Sequence, residues 1–473
     1  MKELRICLVN AGVRTLYSSL VSPPLGLLYI AAWLREKFNV KFIVINQKLD
    51  NISDDELVDR IITFQADIVG ISAMTPSAWL LSALSIKIRK RCPDVLIVAG
   101  GAHVSGLGSS AIAGTEIDLA VKGEGELSFE MIVERYLAGS RYDDIPGLII
   151  REGNGRVVTN KGMARLIEDL DTIPFPAYDL IDISKYWKVQ SMLPVPRRKY
   201  ISLFSSRGCP YGCIYCHNIF NKRYRTHSAG RIVDEIEWYI KTFKVDEIEF
   251  VDDIFNLDRK RLIEFSALIK KKNIKIKIAF PNGMRADIFK KEEVDALVDA
   301  GMYMTSLALE SGSERIQALS GKGLNIQKFL ENVAYIAGKG VFVNGFAMFG
   351  FPGETAEEMQ MTIDTACSSK LHSISFFTVT PYPGSSLYDS QVRKYPEWRK
   401  PDLFREITSC HAMVNLSAES DDVLMYYQRK ANRDFYFNSV RIGRLLRDYP
   451  RPFLMPLYIP ELLKRTTKGL TIK

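Results

Sequence analysis

The stretch CPYGCIYC, residues 209–216, holds three of the chain's seven cysteines in C-x3-C-x2-C spacing. It directly follows YISLFSS, an apolar run that reads as a strand, so Cys209, Cys213 and Cys216 sit on a strand-end loop. Strand patterns recur at EIEFVDD, IKIAFPNG, MTSLALES, VFVNGFAMFG and SISFFTVTP, with helical patterns between them. This series predicts a partial (β/α)6 barrel over 195–390, with its chemistry on the loops at the carboxyl ends of the strands. The cysteine loop is the first of those loops.

Structural zinc is ordinarily held by four protein ligands, often as C-x2-C pairs. Here only three cysteines cluster, and His217, directly after Cys216, is awkwardly placed to close a tetrahedron. A [4Fe-4S] cluster on three thiolates fits better, because one iron stays open to a ligand from outside the protein. In these residues, with the aromatic Tyr215 just before the last cysteine, the chain resembles the radical S-adenosylmethionine (SAM) superfamily. The resemblance implies that the open iron chelates the methionine moiety of SAM and that one electron from the cluster yields a 5'-deoxyadenosyl radical. It also implies SAM contacts. Tyr215 would pack near the adenine. Asp252 and Asp253 end the second strand, where the family often has Gly-Gly-Glu facing the methionine amino group. Asn282 and Arg285 follow the third strand, and Glu310 and Ser311 the fourth, toward ribose and carboxylate. Gly350 and Phe351 follow the fifth, near the adenine. Taken singly, the glycines also make turns and the aspartates also cap helices. No side chain is named as catalytic acid or base.

Upstream, residues 1–139 alternate strand and helix patterns, which predicts an α/β, doubly wound parallel sheet, Rossmann-like with flavodoxin-type order. Asn10-Ala11-Gly12, Ser72 to Thr75, Gly100 to His103 and Gly123 to Glu126 all fall at carboxyl ends of strands. One such loop is a tight turn; four on one edge predict a ligand. The dinucleotide fingerprint G-x-G-x-x-G is missing after the first strand. A doubly wound domain ahead of such a barrel resembles the cobalamin-binding radical SAM subgroup, over about residues 1 to 390. The implied cobalamin contacts are Ser72 and Thr75 beneath the corrin, and Gly100, Gly101, His103, Gly123 and Glu124 along the nucleotide tail. The D-x-H-x-x-G motif is absent and no histidine precedes His103, so cobalt is expected to lack a histidine from the protein. Trp79 either lies under the corrin or belongs to the core.

The resemblance implies an enzyme that methylates an unactivated carbon through methylcobalamin and the 5'-deoxyadenosyl radical. A radical oxidoreductase or cyclase of the same architecture is the enzymatic alternative, and a non-catalytic cobalamin or iron-sulfur sensor is a third reading. The implied partners are a small-molecule or lipid-like substrate and an electron donor such as flavodoxin or ferredoxin.

Residues 140–194 read as a connector, with a hairpin around Asn154-Gly155 and the proline-rich TIPFPAYDL. Residues 391–473 read as a helical, basic extension: from Val423 onward eleven Lys or Arg stand against Asp434, Asp448 and Glu461, a surplus that matches the +8 of the whole chain. Arg429, Lys430, Arg433, Arg441, Arg444 and Arg447, with Phe435, Tyr436 and Phe437, could face an anionic membrane surface, or lie solvated on the barrel with the aromatics in the core; nucleic acid is disfavoured. No apolar run is long enough to cross a bilayer and no leader pattern opens the chain, so a cytoplasmic protein, with or without surface contact to a membrane, is expected.

Overall fold

Apolar residues on both faces of each strand build the first sheet. In β1 (Leu4–Ala11), Ile6 and Leu8 pack into one core while Cys7 and Val9 pack into another. Such two-sided burial needs helices on both sides, as in doubly wound folds. The computed structural model, which describes residues 3–14, 20–193, 195, 197–399, 414–454 and 456, shows this arrangement. β1, β2 (Val40–Asn46), β3 (Ile68–Ala73), β4 (Leu96–Gly100) and β5 (Leu119–Ala120) run parallel in the order β2-β1-β3-β4-β5. This is the flavodoxin-type order. Gly70 lets the layers meet closely, since a Cβ there would lie 2.8 Å from Leu8 and 3.4 Å from Phe129.

The hairpin in the connector does not stand apart. Its strands β6 (Ile149–Arg151) and β7 (Val157–Thr159) join the same sheet, with Ile149 opposite Ala120 in antiparallel pairing. By its internal packing, one compact unit comprises Met1–Tyr186, Tyr215–Arg225 and Pro381–Thr408, and a second comprises Trp187–Ile214, Thr226–Thr380 and Ser409–Lys473.

In the second unit the sheet strands are β8 (Tyr200–Leu203), β11 (Glu247–Phe250), β12 (Lys277–Met284), β13 (Met302–Glu310), β14 (Phe342–Phe349) and β15 (Ser373–Thr378), with the short strands β9 (Ser206–Arg207) and β10 (Arg225–Thr226) falling between β8 and β11 in the chain. β8 and β11 to β15 pair in parallel, each beside its neighbour in sequence. Among the described residues β15 and β8 form the two edges, so the barrel is partial. On β11, Ile248 and Phe250 are apolar and Phe250 stacks with Phe280 at 5.2 Å between ring centres. The alternate residues Glu247 and Glu249 are fully buried against Arg198, with Ser191 and Tyr303 completing the network. Burying one cation between two carboxylates is tolerated only because nearly every polar atom finds a partner.

Candidate functional site

The cysteine loop is held from the barrel side at its middle. Ile214 N–H donates to Ser320 C=O at 2.9 Å, and Gly321, with a positive φ of 70°, sits where any Cβ would come within 2.7 Å of Gly212 O. The Arg285 guanidinium lies 4.1 Å from the centre of the Tyr211 ring and donates to Asp287 and to Gly323 C=O. Cys209, Cys213 and Cys216 are joined in no disulfide among the described residues, the last of them is exposed, and Tyr215 is half-buried. Among the described residues no three His, Cys, Asp or Glu side chains are arranged to hold a metal ion.

The other sequence-predicted residues of this unit divide into supports and exposed groups. Asp252 is buried, and its Oδ1 accepts from Ser205 N–H at 3.0 Å, from Ser205 Oγ at 2.9 Å and from Ser206 Oγ, while its Oδ2 has no partner among the described residues. Burial pushes this carboxyl up to about 6. Asp252 thus anchors the turn leading to the cysteines, while Asp253 is only partly buried. Asn282 is exposed and donates to Asp252 C=O at 2.9 Å. Glu310 adopts a left-handed φ of 65° and pairs with Lys322 at 2.9 Å. Ser311 is buried against Thr362. Gly350 and Phe351 donate their N–H groups to Glu354 Oε2 at 2.6 and 3.1 Å. Glu354 Oε1 is buried without a partner among the described residues, and burial pushes the carboxyl up to about 7.

In the first unit the carboxyl edge of the sheet carries a cavity of about 310 Å3, whose walls include Ser105, Lys122, Gly123, Glu124, His217 and Asn221. Ser105 was not evident from sequence: its Oγ donates to Gly101 C=O at 2.9 Å and accepts from Gly123 N–H at 3.0 Å, stitching two strand-end loops together. Gly101 has a φ of 91°, and a Cβ there would strike Ser72 Oγ at 2.7 Å. Gly100 lies half-buried beside it, and Thr75 is buried in the turn after β3. Glu124 lines the cavity, yet its carboxylate turns to Arg225, which grips both oxygens from 101 residues away. His103 is buried with neither ring nitrogen partnered among the described residues, and burial lowers it to about 4, so the ring is neutral near pH 7. Trp79 packs against the core.

A family model for the radical SAM superfamily matches residues 203–366 and one for the B12 binding domain matches residues 13–133. An uncharacterized methyltransferase of Pyrococcus horikoshii is 32% identical over 447 residues, spanning 92% of this chain and 93% of its own. The chain belongs to the cobalamin-dependent radical SAM enzymes. A cytidylyl-2-hydroxyethylphosphonate methyltransferase from Streptomyces wedmorensis is 27% identical over 87% of this chain and 86% of that one. An anaerobic magnesium-protoporphyrin IX monomethyl ester cyclase from Rubrivivax gelatinosus is 27% identical over 77% and 66%. The solved structure of the radical SAM methyltransferase TsrM from Kitasatospora setae, with cobalamin and [4Fe-4S] cluster bound, matches with TM-score 0.66 at 17% identity, covering 83% of this chain and 78% of that one. At that identity the likeness shows the fold.

The family's cofactors are a [4Fe-4S] cluster, SAM and cobalamin, and the residues present suit them. Three cysteines outside any disulfide on one loop would give a cluster its thiolates and leave one iron without a protein ligand. The first unit offers a cavity lined by backbone at Gly123, whose φ of 76° would strain any side chain.

The basic extension is largely engaged inside its own unit. Arg441 is buried, Lys430 and Arg433 pair with Asp434, and Arg447 pairs with Asp448. Phe435 is fully buried and the Tyr436 hydroxyl donates to Ile374 C=O at 2.6 Å, whereas Phe437 is exposed. No helix among the described residues is long and apolar enough to cross a membrane.

Proposed function

We propose that this enzyme transfers a methyl group from SAM to a carbon of a small-molecule substrate, using cobalamin held in the first unit. The observation that carries this reading is a three-thiol strand-end loop and a cavity on a doubly wound sheet in one chain, which aligns nearly end to end with a methyltransferase by name. When bound, the cluster supplies the electron that cleaves SAM, and cobalamin supplies a carrier for the methyl group. Cys209, Cys213 and Cys216 hold the cluster. Asp253 and Asn282 meet the polar end of SAM, Glu310 and Ser311 shape its floor, and the Gly350–Phe351 turn, pinned by Glu354, offers backbone to the adenine. Arg285 braces Tyr211 and therefore positions the cysteine loop more than it binds ligand. On this reading Ser72, Thr75, Gly100, Gly101, His103 and Gly123 belong to the cobalamin edge, with Gly123 and Glu124 lining the cavity itself and Glu124 turning its carboxylate to Arg225.

The test is product analysis after anaerobic reconstitution with methyl-labelled SAM. Label in the product together with 5'-deoxyadenosine supports methyl transfer. The cyclase relative motivates the second reading, and deoxyadenosine formation with ring closure and no label in the product would favour it.

A further inference from the structure

At the end of β13 one residue is held against its backbone preference. Glu310 has a φ of 65°, a left-handed conformation that a residue with a side chain keeps only when its surroundings impose it, and the pairing of β13 with β14 slips between Ala308 and Glu310. Two side chains from one short segment of the same unit impose it. Gln317, buried in the helix Glu314–Leu319, donates through Nε2 to Leu309 C=O at 2.7 Å and to Ser311 C=O at 2.6 Å, one on either side of Glu310. Lys322 donates through Nζ to Ala308 C=O at 2.7 Å and to Glu310 Oε1 at 2.9 Å, and the side chains of this ion pair are only 9% and 10% exposed. The segment is itself fastened, since Ser320 C=O accepts from Ile214 N–H and Gly323 C=O accepts from Arg285.

What this carboxylate can receive follows from its charge. An ionised carboxylate only accepts hydrogen bonds, and the donors of SAM are its methionine ammonium, its two ribose hydroxyls and its adenine amino group. With the adenine assigned to the Gly350–Phe351 turn, the first two remain. Lys322 already neutralises Glu310, so a second cation gains little there, whereas neutral hydroxyls still gain a charge-assisted bond to an acceptor of fixed direction. We propose that Lys322 is a positioning residue: by neutralising and orienting Glu310 it makes the end of β13 a seat for the ribose hydroxyls of SAM rather than for its ammonium group. The proposal rests on the reading that SAM lies at this strand end. Without Lys322 the carboxylate loses its fixed direction and regains an uncompensated charge, and the preference for hydroxyls goes with them.

The test uses the full chain, reconstituted anaerobically and kept oxidised so that SAM binds without being cleaved. Equilibrium dialysis compares SAM with its 2',3'-dideoxy analogue, which lacks both ribose hydroxyls. The wild type is expected to prefer SAM by about thirtyfold, as for hydrogen bonds to a charged group, and Lys322→Met by less than about threefold. A merely structural loss weakens both ligands alike and leaves their ratio unchanged, so the ratio isolates the positioning role. Removing the cation leaves a buried carboxylate, which can prevent folding. Should Lys322→Met fail to fold by circular dichroism, Lys322→Arg keeps the charge but not one nitrogen bridging Ala308 and Glu310, and its ratio should fall to about tenfold. A ratio in the folded variant equal to that of the wild type overturns the role of Lys322 while the preference for the hydroxyls stands. A wild type that binds both ligands equally overturns the ribose assignment at Glu310 and the proposal with it, and a wild type that does not bind SAM removes the reading on which the proposal rests.

Discussion

Glu354 shows how one side chain can hold the turn proposed to meet SAM through its backbone alone. Its Oε2 takes two backbone N–H groups, from Gly350 and Phe351, and its Oε1 is buried with no partner among the described residues. Burial outweighs those two bonds and raises the carboxyl from 4.5 to about 7. The folded state therefore keeps a proton that the unfolded chain releases at lower pH. This contribution to stability is fully present below 4.5 and is lost as pH rises through about 7. His103 acts in the opposite sense: lowered to about 4, it favours folding more as pH rises toward 6.5. The two can be separated with Glu354→Gln, whose amide oxygen still accepts from both N–H groups and cannot ionise. Urea unfolding of the cluster-free protein from about pH 5 to about pH 8 should show the wild type losing stability relative to the variant up to about pH 7, then a constant difference. A difference independent of pH would show that Glu354 is not buried as described.

At the scale of elements, the decisive case is the end of the helix Ala356–Ser368. Arg441, from the helix Ser439–Asp448, reaches Cys367 C=O at 2.7 Å and also donates to Ala366, Ser369 and Leu371 C=O, with its guanidinium 3.7 Å from the Phe435 ring centre. Terminal helix carbonyls need donors, and a cation there also meets the negative end of the helix dipole. Arg441→Met should fill similar space, leave these carbonyls without their donor, and cost about 3 kcal/mol, read as a lower midpoint in urea unfolding. No change would mean that solvent replaces the guanidinium without penalty. Sequence alone could not have shown this, because arginines along a basic helix look solvated until the helix they cap is known. Glu247 and Glu249 were hidden for a related reason: E-I-E-F alternation reads as a half-exposed strand, and only the partner Arg198 turns that face inward. The parallel strands, by contrast, were legible as apolar runs because they are buried on both faces, and the hairpin around Asn154-Gly155 was legible from its turn residues. The thiols were legible because their spacing is local. Ser105 and Arg225 were not, since each acts on residues distant in sequence.

For the whole molecule, the thiols and the cavity make separable demands. None of Cys209, Cys213 and Cys216 lines the cavity of the first unit. A chain with all three changed to Ala should therefore still bind cobalamin, and it should make no 5'-deoxyadenosine, because no thiolates remain for a cluster. Titration with cyanocobalamin followed by absorption, beside mass-spectrometric analysis of the SAM products, checks both. Loss of cobalamin binding in a variant that circular dichroism shows to be folded would mean that the cavity is not where cobalamin is held, whereas binding retained with no deoxyadenosine would assign the two chemistries to the residues proposed for each.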